Sequence, residues 1–219
     1  MGKRVGILDE VRGIAYIAMI LYHAYYDIVF VYGVDLPDAA DAVMRFIQPF
    51  IAGTFIFVAG ASSVYSGNNF KRGATYFFLA MALTFVTAVV MPSEIIIFGV
   101  LHFLGIAAMI YGFIGRYTEK IPWLPGMILF ALLFAAAFNI PRGFIGFEGI
   151  LSADMPDILY GHYWLFPLGF VSSGFYMTRF SGMAFLGRHG LWIYMLHQPV
   201  LILILDLYFK LTGGNTVFL

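Results

Sequence analysis

Asp9, Arg12, Tyr16, His23 and Asp27 form a polar stripe inside the first hydrophobic stretch of the chain, set among runs such as Ile14 to Leu21. At about 100° per helical residue, with His23 as zero, Arg12 falls near −20°, Tyr16 near +20°, and Asp9 and Asp27 near +40°. All five share one narrow face. His23 lies about 16 Å beyond Arg12 along a helix, close to the middle of a bilayer. Asp27 follows one turn later on the same face, where a carboxylate can hydrogen-bond an imidazole, fix its tautomer and raise its basicity. The pair reads as an oriented general base, or as a His–Asp lock between this helix and a neighbour. An ionisable group at the centre of a membrane helix costs roughly 2.5–3.5 kcal/mol. Repeating that cost on one face implies that the face lines a polar cavity.

Two more histidines reach a similar depth. His102 sits in Gly99-Val100-Leu101-His102-Phe103, and His197 in Ile193-Tyr194-Met195-Leu196-His197-Gln198-Pro199. His197 lies about 14 Å beyond Arg188, and Pro199 removes the donor that would have reached the carbonyl of Met195. His23, Asp27, His102 and His197 are therefore the expected catalytic groups of one shared site. No two histidines stand at i,i+3 or i,i+4 and no HExxH motif occurs, so no metal site is expected. His162 and His189 are weaker candidates, one near the outer interface and one beside Arg188. The loop Ser66-Gly67-Asn68-Asn69-Phe70-Lys71-Arg72 joins turn residues to a basic pair. Lys71 and Arg72, with Arg12 and Arg188, are expected to form a cytoplasmic anion site able to hold phosphates. Basic residues in such loops also set topology and meet lipid headgroups.

The elements that must position these groups follow from composition. The 219 residues are 62% hydrophobic and 11% charged, with a mean hydropathy of +0.90. Soluble domains carry about 25% charged residues. The chain is therefore read as an all-α integral membrane protein, multi-pass in the cell membrane, with the lipid bilayer as its solvent. A formal net charge of zero gives no reason to expect nucleic acid. Cysteine is absent, which excludes disulfides and thiolate metal sites and leaves the redox compartment undecided. Lys3 and Arg4 precede the first apolar run, which reads as a retained anchor rather than a cleaved signal. No linker or repeat divides the sequence, so residues 1–219 are read as a single membrane domain.

Seven segments are long and apolar enough to span, or nearly so: roughly 13–33, 43–65, 73–91, 95–115, 123–139, 160–178 and 189–210. With the N-terminus cytoplasmic, seven spans place Lys3, Arg4, Arg12, Lys71, Arg72, Arg116, Lys120, Arg179 and Arg188 inside. Arg45, Arg142 and Lys210 then lie outside, as does the C-terminus. That is the positive-inside pattern. Trp123, Trp164 and Trp192 fall at interface levels. The outer loop, about 140–159, alternates Phe144, Ile145, Phe147, Ile150 and Leu151 with glycine. It lies in the interface or folds over an outward-facing cavity. Arg45 is expected to pair with an outer acid such as Asp41, and Asp206 with Lys210 at i,i+4. Gly60-Ala61-Ser62-Ser63 is small enough for helices to approach closely.

Leu8-Asp9-Glu10-Val11-Arg12-Gly13-Ile14-Ala15, leading to His23 with ten residues between Arg12 and His23, resembles the opening of the transmembrane acyltransferases. Phe55 to Ser62, then Phe98 to Phe103, then Leu186 to Val200 follow in order. Together they resemble the prokaryotic branch of the family named for the catalytic domain of heparan-α-glucosaminide N-acetyltransferase, over about Arg4 to Val200. The resemblance implies transfer of an acetyl group from cytosolic acetyl-CoA, as co-substrate, to a glycan acceptor on the far side, with Arg12 and His23 in the active region. The lysosomal branch uses a His from the loop after its first span. The corresponding loop here, about 33–42, has none, so either His23 takes that role or the chemistry differs.

The leading reading is thus a membrane-embedded acetyltransferase acting on an amine or hydroxyl, a sugar or other small molecule. The alternative is a proton-coupled transporter or channel that relays protons through buried His and Asp groups. The transporter reading lacks the repeated halves many such proteins show. A non-catalytic scaffold would leave the buried ionisable groups unexplained. Small membrane domains often pair, so a homodimer is an open expectation, and no motif specifies its interface.

Overall fold

The computed structural model describes residues 5–137 and 181–218. Among the described residues every regular element is helical. α1 is Gly6–Tyr26 and runs on into a π-helical turn, Asp27–Val31. α2 is Asp38–Ser63, α3 Asn69–Val90, α4 Val100–Thr118 and α5 Trp123–Ala137. α6 is the short helix Ser181–Arg188, and α7 is Gly190–Thr212. Five helical stretches have the length and composition to cross a membrane: Gly6–Val31, Ala40–Ser63, Asn69–Val90, Val100–Thr118 and Gly190–Thr212. They match the first four and the seventh expected spans. The fifth is a shorter apolar helix, Trp123–Leu133 by the same measure. The sixth, with the loop before it, lies outside the described residues.

Two compact units divide the chain: Gly6–Ile51 with Thr178–Leu219, and Met1–Val5 with Ala52–Met177. In the first, α1 begins seven residues before the expected span because its charges are neutralised in place. Arg12 pairs with Asp9 one turn back at 2.9 Å. α6 packs against this end of α1 with almost no side chain between the backbones. A Cβ on Gly187 would stand 1.8 Å from the carbonyl oxygen of Asp9, and one on Gly13 would stand 2.2 Å from that of Met183. Gly190 gives the same relief to the ring of Tyr16.

Beyond the π turn, Tyr32 stacks on Phe209 of α7, with centroids 4.6 Å apart, and donates to Asp206 at 2.8 Å. Burial first, then that hydrogen bond, raises the phenol's pKa above its ordinary value. Asp206 also accepts from the backbone N–H groups of Val217 and Phe218. It is buried, so these donors, and not the expected Lys210, hold its charge. The expected Arg45–Asp41 pair forms at 2.7 Å, and Tyr25 donates to the same carboxylate.

In the second unit α3 and α4 form a close antiparallel pair. Gly73 meets the backbone of Gly105 and Met109, Gly105 meets Phe77, and Gly112 meets Phe70. Small residues let backbones approach in lipid, where dispersion rather than water expulsion drives helix association. Ile56 and Tyr111 centre the buried cluster of this unit. The small stretch of α2 is buried at Ala61 and Ser63, and Ser62 and Ser63 turn their hydroxyls back to the carbonyls of Val58 and Ala59.

Candidate functional site

The stripe on α1 is an inward face. Asp9 is 3% exposed, Tyr16 7% and Asp27 0%, while Ile14, Leu21 and Phe30 are 57%, 62% and 60% exposed. The apolar residues therefore face lipid and the polar ones face protein, as helical periodicity requires. Glu10 is buried too, although it lies off the stripe. Arg12 reaches the carbonyl of Gly187 at 3.5 Å in addition to Asp9, so its guanidinium ties α1 to α6.

Deeper on the same face the structure brings His23 and His197 together. Their rings meet edge to face at a centroid distance of 4.8 Å and an angle of 74°. Nδ1 of His23 lies 2.9 Å from the carbonyl of Met19, and Nδ1 of His197 lies 2.7 Å from that of Tyr194. A carbonyl only accepts, so each Nδ1 carries the proton. In the neutral rings the lone pair is then on Nε2 in both. The helix's own backbone, and not Asp27, fixes the tautomer of His23.

Asp27 opens the π turn, where its carbonyl accepts from the N–H of Tyr32. Such turns recur at functional sites because the widened helix re-aims its side chains. The Asp27 carboxylate accepts from Nε2 of Gln198 at 2.7 Å. Among the described residues, Nε2 of His197 and Oε1 of Gln198 are both buried and take no hydrogen bond. Buried acceptors in this state are costly, and they favour a group that can donate to them. Gln198 escaped the sequence reading: a glutamine after a histidine carries no periodic signal of its own.

His102 belongs to the other unit and is fully engaged at the start of α4. Its Nδ1 accepts from the N–H of Gly99 at 3.1 Å, so Nε2 carries the proton and donates to Thr84 at 3.1 Å. The Thr84 hydroxyl in turn donates to the carbonyl of Ile96 at 2.6 Å. The ring stacks on Phe98, and the side chain is buried. This arrangement caps a helix and staples it to α3.

The four expected anion-binding cations also divide between the units. Arg12 is held as described, and Arg188 is exposed, with its Nε on the carbonyl of Ala184. Arg72 closes the C-terminus of α2, donating to the carbonyl of Ser62 and, at 2.6 Å, to the hydroxyl of Ser63. Asn69 adds a bond to the carbonyl of Ser63. Lys71 is exposed at the first turn of α3, which Asn68 caps. Next to it in the chain, the turn Ser66–Phe70 and the end of α4 enclose a pocket of about 400 Å³, lined also by Tyr111, Arg116 and Glu119. Tyr111 donates to Glu119 at 2.9 Å. Neither Tyr111 nor Glu119 stood out in the sequence.

His189 bonds the carbonyl of Phe185 and is exposed. Trp123 and Trp192 are exposed, as interfacial residues are. His162 and Trp164 lie outside the described residues. Among the described residues no three His, Asp or Glu side chains gather so as to hold a metal ion.

The family model described as "Heparan-alpha-glucosaminide N-acetyltransferase, catalytic" matches residues 4–181. No curated protein and no solved structure matches the chain.

Proposed function

Because this chain belongs to the heparan-alpha-glucosaminide N-acetyltransferase catalytic family, we propose that it moves an acetyl group from cytosolic acetyl-CoA to an amine or hydroxyl acceptor, a sugar before other small molecules, at the outer face of the cell membrane. Membership makes it a membrane enzyme of the acyltransferase type. The finer reading is supported chiefly by the tautomer-fixed His23–His197 pair beside the buried Asp27.

The acceptor's lone pair attacks the thioester carbonyl while its proton passes to Nε2 of His23. Asp27 offsets the positive charge that this leaves on the imidazoles. His23 hands that proton to the Nε2 lone pair of His197, and the resulting His197 imidazolium gives it to the departing thiolate. One C–N or C–O bond forms, the C–S bond breaks, and the proton ends on sulfur. The same Nε2 lone pair also admits a two-step route through an acetylated histidine. His102 holds the start of α4. Lys71 with Arg72 in one unit, and Arg12 with Arg188 in the other, are the cations proposed for the phosphates of the donor. The N-terminus and these cations lie on the cytoplasmic side, and the C-terminus lies outside.

Acetyl-CoA should raise the unfolding temperature of the purified protein, and labelled acetyl groups should appear on candidate amino sugars. His23→Ala should lower transfer by about 10²-fold or more. Transfer at the wild-type rate would remove His23 as the base. Unchanged acetyl-CoA affinity in Lys71→Ala with Arg72→Ala would remove the inner anion site. No thermal shift with acetyl-CoA, together with proton flux in liposomes, would favour a transporter.

A further inference from the structure

We propose that Gln198 is a positioning residue that holds the Asp27 carboxylate off His23, so that His23 stays a neutral base with its lone pair on Nε2. The inference rests on the reading of His23 as the base. Gln198 itself lies beyond the stretch that matches the family, which ends at residue 181.

One spacing and two contacts carry the argument. Asp27 stands one turn after His23 on the same face, the spacing at which a carboxylate and an imidazole on one helix ordinarily pair. Such a pair favours the charged ring, and the imidazolium has no lone pair left to accept another proton. In the structure the imidazole is instead anchored through Nδ1 to the carbonyl of Met19 at 2.9 Å. The carboxylate is engaged by the amide of Gln198 at 2.7 Å. An amide suits this task because it donates to one oxygen of a buried carboxylate without bringing a charge of its own. A lysine or arginine there would cancel the negative charge that the transfer step uses. Among the described residues, the rings that face His23 are those of Tyr22 and His197. The π turn that begins at Asp27 gives the carboxylate its freedom to leave the α1 register and meet α7.

The test uses the full chain in lipid nanodiscs with ¹⁵N-labelled histidine, the His23 signals being assigned with His23→Gln. Wild-type His23 should show the neutral form protonated on Nδ1. In Gln198→Ala the released carboxylate should convert a measurable fraction of His23 to the imidazolium or to the form protonated on Nε2. Adding Asp27→Asn to Gln198→Ala should restore the wild-type signals. In acetyl transfer, Gln198→Ala should lower kcat about tenfold or more while KM for acetyl-CoA changes by less than about twofold. Unchanged His23 signals in folded Gln198→Ala would overturn the proposal, whatever happens to stability. If that variant does not fold, Gln198→Asn, which keeps the amide but shortens its reach, is read in the same way. A His23 response without any acetyl transfer by the wild type would retire the acetyltransferase reading and leave the role of Gln198 standing. Transfer without the His23 response would do the reverse.

Discussion

Met19 and Asp27 stand one turn before and one turn after His23, and the backbone carbonyl of Met19 takes the ring N–H. Helical periodicity made Asp27 visible in the sequence as a partner for His23, and a backbone carbonyl one turn back carries no such signal. The deciding partner of Asp27 is Gln198, 171 positions away. The same limit applies to Arg72. Its charge suggested phosphate, and much of its hydrogen bonding goes to the C-terminus of α2. His102 was legible as a buried polar group, and its work as a cap was not, because Gly99 and Thr84 gave no sign of needing it. His102→Ala should lower stability by about 2 kcal/mol, since it strips a half-buried N–H and a half-buried hydroxyl of a partner. Denaturant unfolding in detergent would measure this.

α6 shows what periodicity misses among the helices. Eight residues with two glycines, Ser181–Arg188, are too short and too mixed to stand out beside spans of 19 residues or more. Its place is set by contact with α1, and the two glycines make opposite predictions. Gly187→Ala would drive a Cβ into the Asp9 backbone and should cost about 3 kcal/mol. A Cβ on Gly182 would meet nothing within 4 Å, so Gly182→Ala should gain about 0.5–1 kcal/mol from helix propensity alone. Thermal unfolding of the two variants side by side checks the sign of each. The long spans were legible because about 20 apolar residues can do little else in a bilayer. Their ends were less so: the fourth was read from residue 95 and α4 begins at Val100, after a short 3₁₀ turn, Pro92–Glu94.

Across the whole molecule, the outward surface of the described helices carries Phe78, Phe85, Val89, Leu203 and Leu211, all more than half exposed. In water such a surface would aggregate, and in a bilayer it meets its solvent. Charge placement across the loops adds an orientation that can be measured cleanly, because the chain has no cysteine of its own. Gly67→Cys should label only from the cytoplasmic side of sealed cells or vesicles. Asp35→Cys and Asn215→Cys should label only from outside. All three positions are exposed. Labelling of Gly67→Cys from outside would invert the topology and move the donor cations to the wrong side for cytosolic acetyl-CoA.

The wide turn at Asp27–Val31 lies between two attachments to the same helix. Upstream, Asp27 meets Gln198; downstream, Tyr32 meets Asp206. The wide turn spends one extra residue on about the same rotation as an α-helical stretch. Deleting Ile28 should therefore close it to an ordinary α-helix with both attachments kept. One residue removed from the regular helix before it, a change equally harmless by hydropathy and invisible to any count of spans, would instead turn everything after it by about 100° and take the reactive end and the anchored end off α7 together.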